Sequence, residues 1–108
     1  MCFLGALHLG DHGVIYEGPT EVYEGQAFQI SCELPTRDPP LWTINTSQPI
    51  LEENALGYTV IEGEIGPFRR EVILKVEHTQ LYQEGEYRCN RNSRDFHYVN
   101  VIPAFTEG

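Results

Sequence analysis

The stretch EGEYRC at residues 84–89 carries the strongest fold signal in this chain of 108 residues. Tyr87 and Cys89 share one face of a strand-like alternation, and polar residues occupy the other face. A second run, residues 26–34, alternates in the same way and has Cys32 on its apolar face. The two cysteines lie 57 positions apart (89 minus 32), each inside a strand-like run. This arrangement suits a long-range disulfide and therefore an oxidising compartment.

Short alternating runs continue along the whole chain, and turns rich in glycine and proline separate them. The predicted strands cover residues 14–16, 20–23, 26–34, 41–46, 57–61, 70–77, 86–91 and 96–102, with a brief edge piece at 50–51 and a turn at 63–67. No stretch has helical periodicity. Many short strands at close spacing are typical of a β-sandwich or barrel.

Cys32, Trp42 and the stretch EGEYRC stand in the order Cys…Trp…Tyr-x-Cys, which resembles the framework of immunoglobulin domains. The resemblance covers residues 14–103, and the lead-in GPTEVYEGQ at 18–26 looks like that of I-set domains. The interval between the cysteines is short for a variable-type domain, which favours an I-set or C2-like domain. The resemblance implies an all-β fold, an immunoglobulin-like β-sandwich of two antiparallel sheets with Greek-key connections.

The resemblance also implies roles for single residues. Cys32 and Cys89 would link strands B and F across the sandwich, and Trp42 on strand C would pack against their disulfide. Tyr87 would form the tyrosine corner, whose hydroxyl binds backbone just upstream. The sequence departs from the family at Gln83, where an aspartate is usual. A carboxylate contact is therefore in doubt, although glutamine can still accept a hydrogen bond.

The length of the chain fits one domain. We expect residues 1–13 to be a flexible or added tail, residues 14–103 the domain, and residues 104–108 a linker. The apolar start has no basic segment and no small-residue cleavage site, so it is a poor secretory signal. Targeting segments are expected outside this sequence. Cys2 is an odd thiol, either a tail cysteine or a partner in an intermolecular disulfide.

Charge and residue spacing argue against several classes of function. The formal net charge of −9 disfavours nucleic acids and anionic membrane surfaces as partners. The cysteines lack the spacing of structural zinc sites, and His8 and His12 fall short of a metal-ligand set. No serine or cysteine stands in a recognisable nucleophile context, and no paired-carboxylate motif occurs. We therefore expect no catalytic residues, no metal, no cofactor and no enzymatic activity.

The candidate binding surface is cationic and aromatic. Side chains alternate between the two faces of a strand. Since Tyr87 in strand F and Val99 in strand G are expected to point into the core, the residues next to them in each strand are expected to point outward. The candidate partner-binding residues are Arg88, Asn90, Arg91, Arg94, Phe96 and Tyr98. Arginine and aromatic side chains are enriched in protein interfaces. The alternative is that the arginines only lie across exposed strand surface and solubilise it.

Two further features concern the surface. Glu33, Glu71 and Glu77 predict an acidic opposite face on which Ile73 is exposed, so that faces of opposite sign permit head-to-tail contact between copies. Asn45-Thr46-Ser47 matches the acceptor pattern for N-glycosylation on a predicted surface turn. A glycan there would discourage binding at that corner.

The resemblance implies an extracellular recognition domain of a larger receptor or adhesion molecule, at the cell surface or secreted. Its partners would be a protein ligand or a second copy, together with neighbouring domains of the same chain. Direct membrane binding by this domain is not expected. The alternative is a structural I-set spacer of a matrix or muscle-type modular protein, in which the two cysteines would be free and Asn45 unmodified if the protein were cytosolic.

Overall fold

The computed structural model describes residues 6–9, 14–45, 48–50, 57–90 and 94–104. Within these residues, the elements are the strands β1 (Ala6–Leu9), β2 (Ile15–Gly18), β3 (Glu21–Tyr23), β4 (Phe28–Pro35), β5 (Thr43–Ile44), β6 (Gln48–Pro49), β7 (Tyr58–Gly66), β8 (Arg69–Val76), β9 (Gly85–Arg88) and β10 (His97–Ile102), and one 3₁₀ turn (Leu81–Gln83). The all-β class predicted from the sequence is confirmed.

The strands form two sheets of five. The first sheet has the order β1-β2-β4-β8-β7, and the second has the order β3-β10-β9-β5-β6. The pairings are antiparallel except that of β3 with β10, which is parallel. The chain passes between the sheets after β2, β3, β4, β6 and β8. The predicted β-sandwich of two sheets is therefore confirmed.

The core lies between the sheets because strand alternation sends every second side chain inward. In β4 the inward residues are Phe28, Ile30, Cys32 and Leu34, and all four are buried. The inward residues of β8 across the pair, Val72 to Val76, are buried as well. Each fully buried aliphatic side chain stabilises the fold by about 1.5–3 kcal/mol relative to its exposed state.

A disulfide joins the two sheets. It links Cys32 in β4 to Cys89, which directly follows β9, with the Cα atoms 6.5 Å apart. Trp42 is 2% exposed and belongs to the same buried cluster as the two cysteines. The backbone N–H of Cys89 donates to the hydroxyl of Tyr16 in β2 at 3.1 Å. Covalent and polar contacts thus tie the first sheet to the second at one level of the core.

The 3₁₀ turn before β9 is held by Tyr87 and Gln83. The buried Tyr87 hydroxyl donates to the Gln83 carbonyl oxygen, four residues upstream. The Gln83 side chain is also buried, and its Oε1 accepts from the backbone N–H of Gln80 at 2.8 Å. Glutamine at this position therefore accepts a local hydrogen bond, as its chemistry allows.

The largest differences from the predicted strand boundaries lie at β7, at β5 and near the start of the chain. Strand β7 continues through Gly63 to Gly66, so the turn predicted at 63–67 is wrong, and the chain turns at Pro67 and Phe68 instead. The glycines are compatible with β7 because it is the last described strand of its sheet, and its side chains are mostly exposed. Strand β5 has only two residues, since Pro39 and Pro40 precede it closely and Asn45 adopts a positive φ of 55°.

The third difference lies near the start of the chain. Residues 6–9, expected in the tail, form β1 and pair antiparallel with β2. The register places Ala6 opposite Gly18 and Leu9 opposite Ile15. Cys2 and His12 lie outside the described residues. Residues 6–9 contain only two repeats of the two-residue strand pattern. This is too short for periodicity alone to identify a strand.

Candidate binding face

The outer surface of the second sheet brings together three of the six predicted binding residues, Arg88, Phe96 and Tyr98. Tyr98 in β10 lies opposite Glu86 in β9, and Arg88 lies opposite Thr43 in β5. Tyr87 and Val99 on the other side of these strands are fully buried. We call this surface, formed by Glu86, Arg88, Phe96 and Tyr98 with their neighbours, the outer face.

Arg88 lies flat against the outer face. One guanidinium nitrogen donates to Glu86 Oε1 at 3.2 Å, and the other donates to the Arg94 carbonyl oxygen at 3.5 Å. The guanidinium carbon stands 4.8 Å from the centroid of the Phe96 ring, a cation–π distance. Only 15% of the Arg88 side chain is exposed. The charge is therefore held in one position before any partner arrives.

Tyr98 is the large exposed residue of the outer face, with 43% of its surface accessible. Its hydroxyl donates to Glu84 Oε2 at 3.2 Å, while Glu84 Oε1 accepts from the backbone N–H of Val101 at 2.8 Å. Partial desolvation at the sheet surface and this hydrogen bond raise the pKa of Tyr98 above its ordinary value of 10.0. The phenol is therefore protonated at neutral pH, and Glu84 fixes the ring on the surface.

Asn90 does not belong to the outer face, and its predicted outward direction is wrong. The residue is 1% exposed, and its Nδ2 donates to Asp38 Oδ2 at 3.1 Å. Strand β9 ends at Arg88, so the alternation that predicted an exposed Asn90 stops two residues earlier. Arg91 lies outside the described residues.

The electrostatic character of the outer face also differs from the prediction. Arg94 is exposed, but Arg88 is paired with Glu86, and Glu84 and Glu21 lie on the same side of the sheet. The described part of this face therefore carries carboxylates as well as guanidinium groups, and it presents fixed aromatic rings among charges of both signs.

The outer surface of the first sheet is not a simple acidic face. Glu33 is bound by Arg69 Nε at 3.0 Å, and Glu71 accepts from the Ser31 hydroxyl at 2.6 Å. Arg69 therefore compensates the charge of Glu33, whereas Glu71 is bound by a neutral hydroxyl. Ile73, which lies opposite Ser31 and two residues after Glu71, is half-buried.

Asn45 has a structural contact that the sequence did not reveal. Its backbone N–H donates to the Glu86 carbonyl at 2.8 Å, and its side-chain Oδ1 accepts from the Glu86 N–H at 3.1 Å. A Cβ atom at Gly85 would lie 2.5 Å from Oδ1, so only glycine allows this approach. Asn45 is exposed, while Thr46 and Ser47 lie outside the described residues. The sequon motif predicts a glycan and carries no signal for this contact.

The remaining histidine candidates do not converge on a site. His97 is buried, and its Nε2 lies 2.8 Å from the Pro19 carbonyl oxygen. His78 is exposed beyond the end of β8. Across the described ranges, no group of three or more His, Cys, Asp or Glu side chains is arranged to hold a metal ion.

Comparison with known proteins adds no further identification. No model of a protein family matches the chain, and no curated protein is significantly similar to it. In the part of the chain that the structure covers, no helix is long and apolar enough to cross a membrane.

Proposed function

We propose that the chain is an immunoglobulin-superfamily domain of the I-set or C2-like kind. Strand order supports this. Strands β2, β4, β8 and β7 correspond to A, B, E and D of that family, and β3, β10, β9, β5 and β6 correspond to A′, G, F, C and C′. The disulfide between β4 and the end of β9, with Trp42 in the same buried cluster, takes the B–F position.

The proposed function is protein recognition outside the cell, as one domain of a receptor or adhesion molecule, rather than catalysis. The observation that carries it is the fixed cluster of Arg88, Phe96 and Tyr98 on the outer face. Arginine and tyrosine are enriched among residues that dominate binding energy. Side chains already held in place lose less conformational entropy on association, so this cluster favours binding.

A structural spacer is the second candidate. It is favoured by Arg88, whose guanidinium is mostly covered and whose hydrogen bonds are made within the domain. A spacer needs no exposed recognition surface. The two candidates differ in what they predict for removal of the outer-face side chains.

The test uses the tetramerised domain as a probe against a display library of cell-surface and secreted proteins. Under the proposal, the double variant Arg88→Ala with Tyr98→Ala binds its partner at least about 30-fold more weakly, the effect of losing one hot spot. The matched control is Lys75→Ala with Gln29→Ala on the first sheet, which should bind like the parent. Thermal unfolding of both variants checks that they fold. Equal binding by parent and outer-face variant would reject the outer face as the binding site, and a parent domain that binds no protein of the library would favour the spacer.

A further inference from the structure

Strand β7 is the edge of the first sheet in the described structure. Eight of its nine residues, all except Ile65 at the bulge, pair with β8 on one side, and no described strand lies on the other. In an antiparallel pair, every second residue directs its N–H and C=O away from the partner strand. Among the described residues, this leaves an edge about 30 Å long for a further strand, at roughly 3.3 Å per residue.

The same strand exposes apolar side chains on both of its faces. Val60 lies opposite Leu74 on the inner face and is 39% exposed, and Ile61 lies opposite Ile73 on the outer face and is 44% exposed. Ile65 at the bulge near the end of the strand is 51% exposed, and Phe68 in the following turn is 79% exposed. An added strand would therefore meet apolar contacts above and below the sheet.

A groove of about 440 Å³ lies at the start of β7. Tyr58 and Thr59 line one part of it, and Glu77, His78 and Tyr82 line another. Tyr82 is 67% exposed and continues the apolar surface past the first residue of the strand. A side chain of an added strand would find room here, as in the pockets that give strand addition its specificity.

The charges of the edge indicate what can occupy it. Glu62 and Glu64 are both exposed and share one face of β7, and Glu77 borders the groove. Arg70 Nη1 reaches Glu62 only at 3.8 Å, with 57% of the Glu62 side chain exposed. Pairing of β7 with itself across two copies would set four carboxylates side by side, which like-charge repulsion disfavours. A strand with basic residues on that face would be attracted.

We propose that β7 is a docking edge for an extended segment of another protein in which basic and apolar residues alternate. The segment would pair with β7 as a sixth strand of the first sheet, with its basic side chains beside Glu62 and Glu64 and its apolar side chains beside Ile61 and Ile65. This surface belongs to the first sheet and is separate from the outer face, so either proposal can fail without the other.

The test uses a synthetic nine-residue peptide of alternating lysine and valine with blocked ends. Two control peptides have glutamate in place of lysine, or proline at the central position, which removes a backbone donor. The expected result is binding of the lysine peptide, at least tenfold weaker binding of both controls, and slower hydrogen exchange of β7 amides in the complex. No detectable binding, or equal binding of the proline peptide, would overturn the proposal.

Charge-reversed variants test the same point from the side of the domain. The double variant Glu62→Lys with Glu64→Lys should bind the lysine peptide at least tenfold more weakly than the parent does. It should bind the glutamate peptide more tightly than the parent does. The matched control, Glu17→Lys with Glu24→Lys, changes the net charge equally at positions in β2 and directly after β3 and should bind like the parent. Equal loss in both variants would mean attraction to overall charge and would overturn the proposal. A dimer of the parent with protected β7 amides in the absence of peptide would also overturn it, in favour of self-pairing.

Discussion

At the residue scale, the phenol of Tyr87 connects two parts of the core through hydrogen bonds. Its single proton goes to the Gln83 carbonyl oxygen, so the Tyr58 hydroxyl, 3.0 Å away, must donate to the Tyr87 oxygen. Burial raises the pKa of Tyr87 far above 10.0, and the neighbouring Tyr58 raises it further. Burial also raises the pKa of Tyr58, although its hydrogen bond with Tyr87 opposes the shift.

These pKa shifts predict a loss of stability in alkali. In the unfolded chain both phenols ionise near pH 10, whereas in the folded domain the pKa of each phenol is raised, that of Tyr87 strongly. Above pH 10 the unfolded state therefore binds fewer protons, and the free energy of unfolding falls by up to about 1.4 kcal/mol per pH unit for each phenol. Urea unfolding between pH 8 and pH 11 measures this fall, and absorbance of tyrosinate shows whether ionisation accompanies unfolding.

The variant Tyr87→Phe belongs to the same test. At pH 8 it should lose about 1–3 kcal/mol, because the buried Gln83 carbonyl loses its donor, and its decline above pH 10 should be shallower than that of the parent. Tyr23→Phe, at a position that is 53% exposed, should leave the free energy of unfolding at pH 8 unchanged. A flat profile for the parent up to pH 11 would contradict the raised pKa values.

Residue-level interpretation of the sequence succeeded where regular alternation applied and failed where it ended. Cys32 and its neighbours in β4 obey the alternation over the whole strand. Asn90 was assigned by the same rule, but β9 stops at Arg88, and the Asn90 side chain turns to Asp38. The charge of the outer face could not be read from the sequence either, because Glu84 approaches Tyr98 only through the turn that precedes β9.

At the scale of elements, the pairing of β5 with β9 depends on Asn45. The residue ends β5 with a positive φ of 55°, a conformation that asparagine tolerates better than most residues. Its backbone and side chain both form hydrogen bonds with the backbone of Glu86 in β9. The Asn45 side chain also lies close to Gly85, where a Cβ atom would not fit. A two-residue strand has little ladder of its own, so these contacts supply a large share of its attachment to β9.

The double role of Asn45, contact and proposed glycan acceptor, can be separated by two substitutions. Asn45→Ala removes the oxygen that accepts from Glu86 and should cost about 1–2 kcal/mol of stability. Asn45→Asp keeps an acceptor oxygen, so it should remain close to the parent when both are produced without glycosylation. Chemical unfolding measures both values.

Production in a secretory host then tests the modification. The parent should carry a glycan at Asn45, detected by mass spectrometry before and after enzymatic deglycosylation, and Asn45→Asp should carry none. Equal stability of Asn45→Ala and the parent would show that the contact with Glu86 contributes nothing. A secreted parent without added mass would reject the glycosylation hypothesis.

Strand existence was easier to predict than strand length. Strands β4, β8 and β10 have long alternating runs and were predicted within one or two residues. Strand β7 was predicted to end at residue 61, because the glycines at 63 and 66 read as a turn. The side chains of β7 are mostly exposed, so a glycine there forgoes little packing and interrupts the strand less than the pattern suggests. Edge position is set by the tertiary fold and has no local signal.

At the scale of the whole molecule, one covalent bond joins the two sheets of a small domain. The loop between Cys32 and Cys89 spans 57 residues, and its closure lowers the entropy of the unfolded chain. The chain-entropy relation gives a stabilisation of about 4 kcal/mol. Since ordinary domains have a free energy of unfolding of roughly 5–15 kcal/mol, this bond contributes a large part of the total stability.

The disulfide also discriminates between the two proposed functions. Cys32→Ala with Cys89→Ala should lose about 4 kcal/mol in urea unfolding, against a control in which Cys2→Ala leaves stability unchanged. The protein is isolated from its own cells in the presence of an alkylating agent, which blocks free thiols. Mass spectrometry under non-reducing conditions should then find Cys32 and Cys89 linked, because an extracellular domain folds where disulfides persist. Recovery of both cysteines alkylated in folded protein would favour the cytosolic spacer. The domain would then work without the bond, and its core of buried side chains such as Trp42 and Tyr87 would have to hold the sheets together unaided.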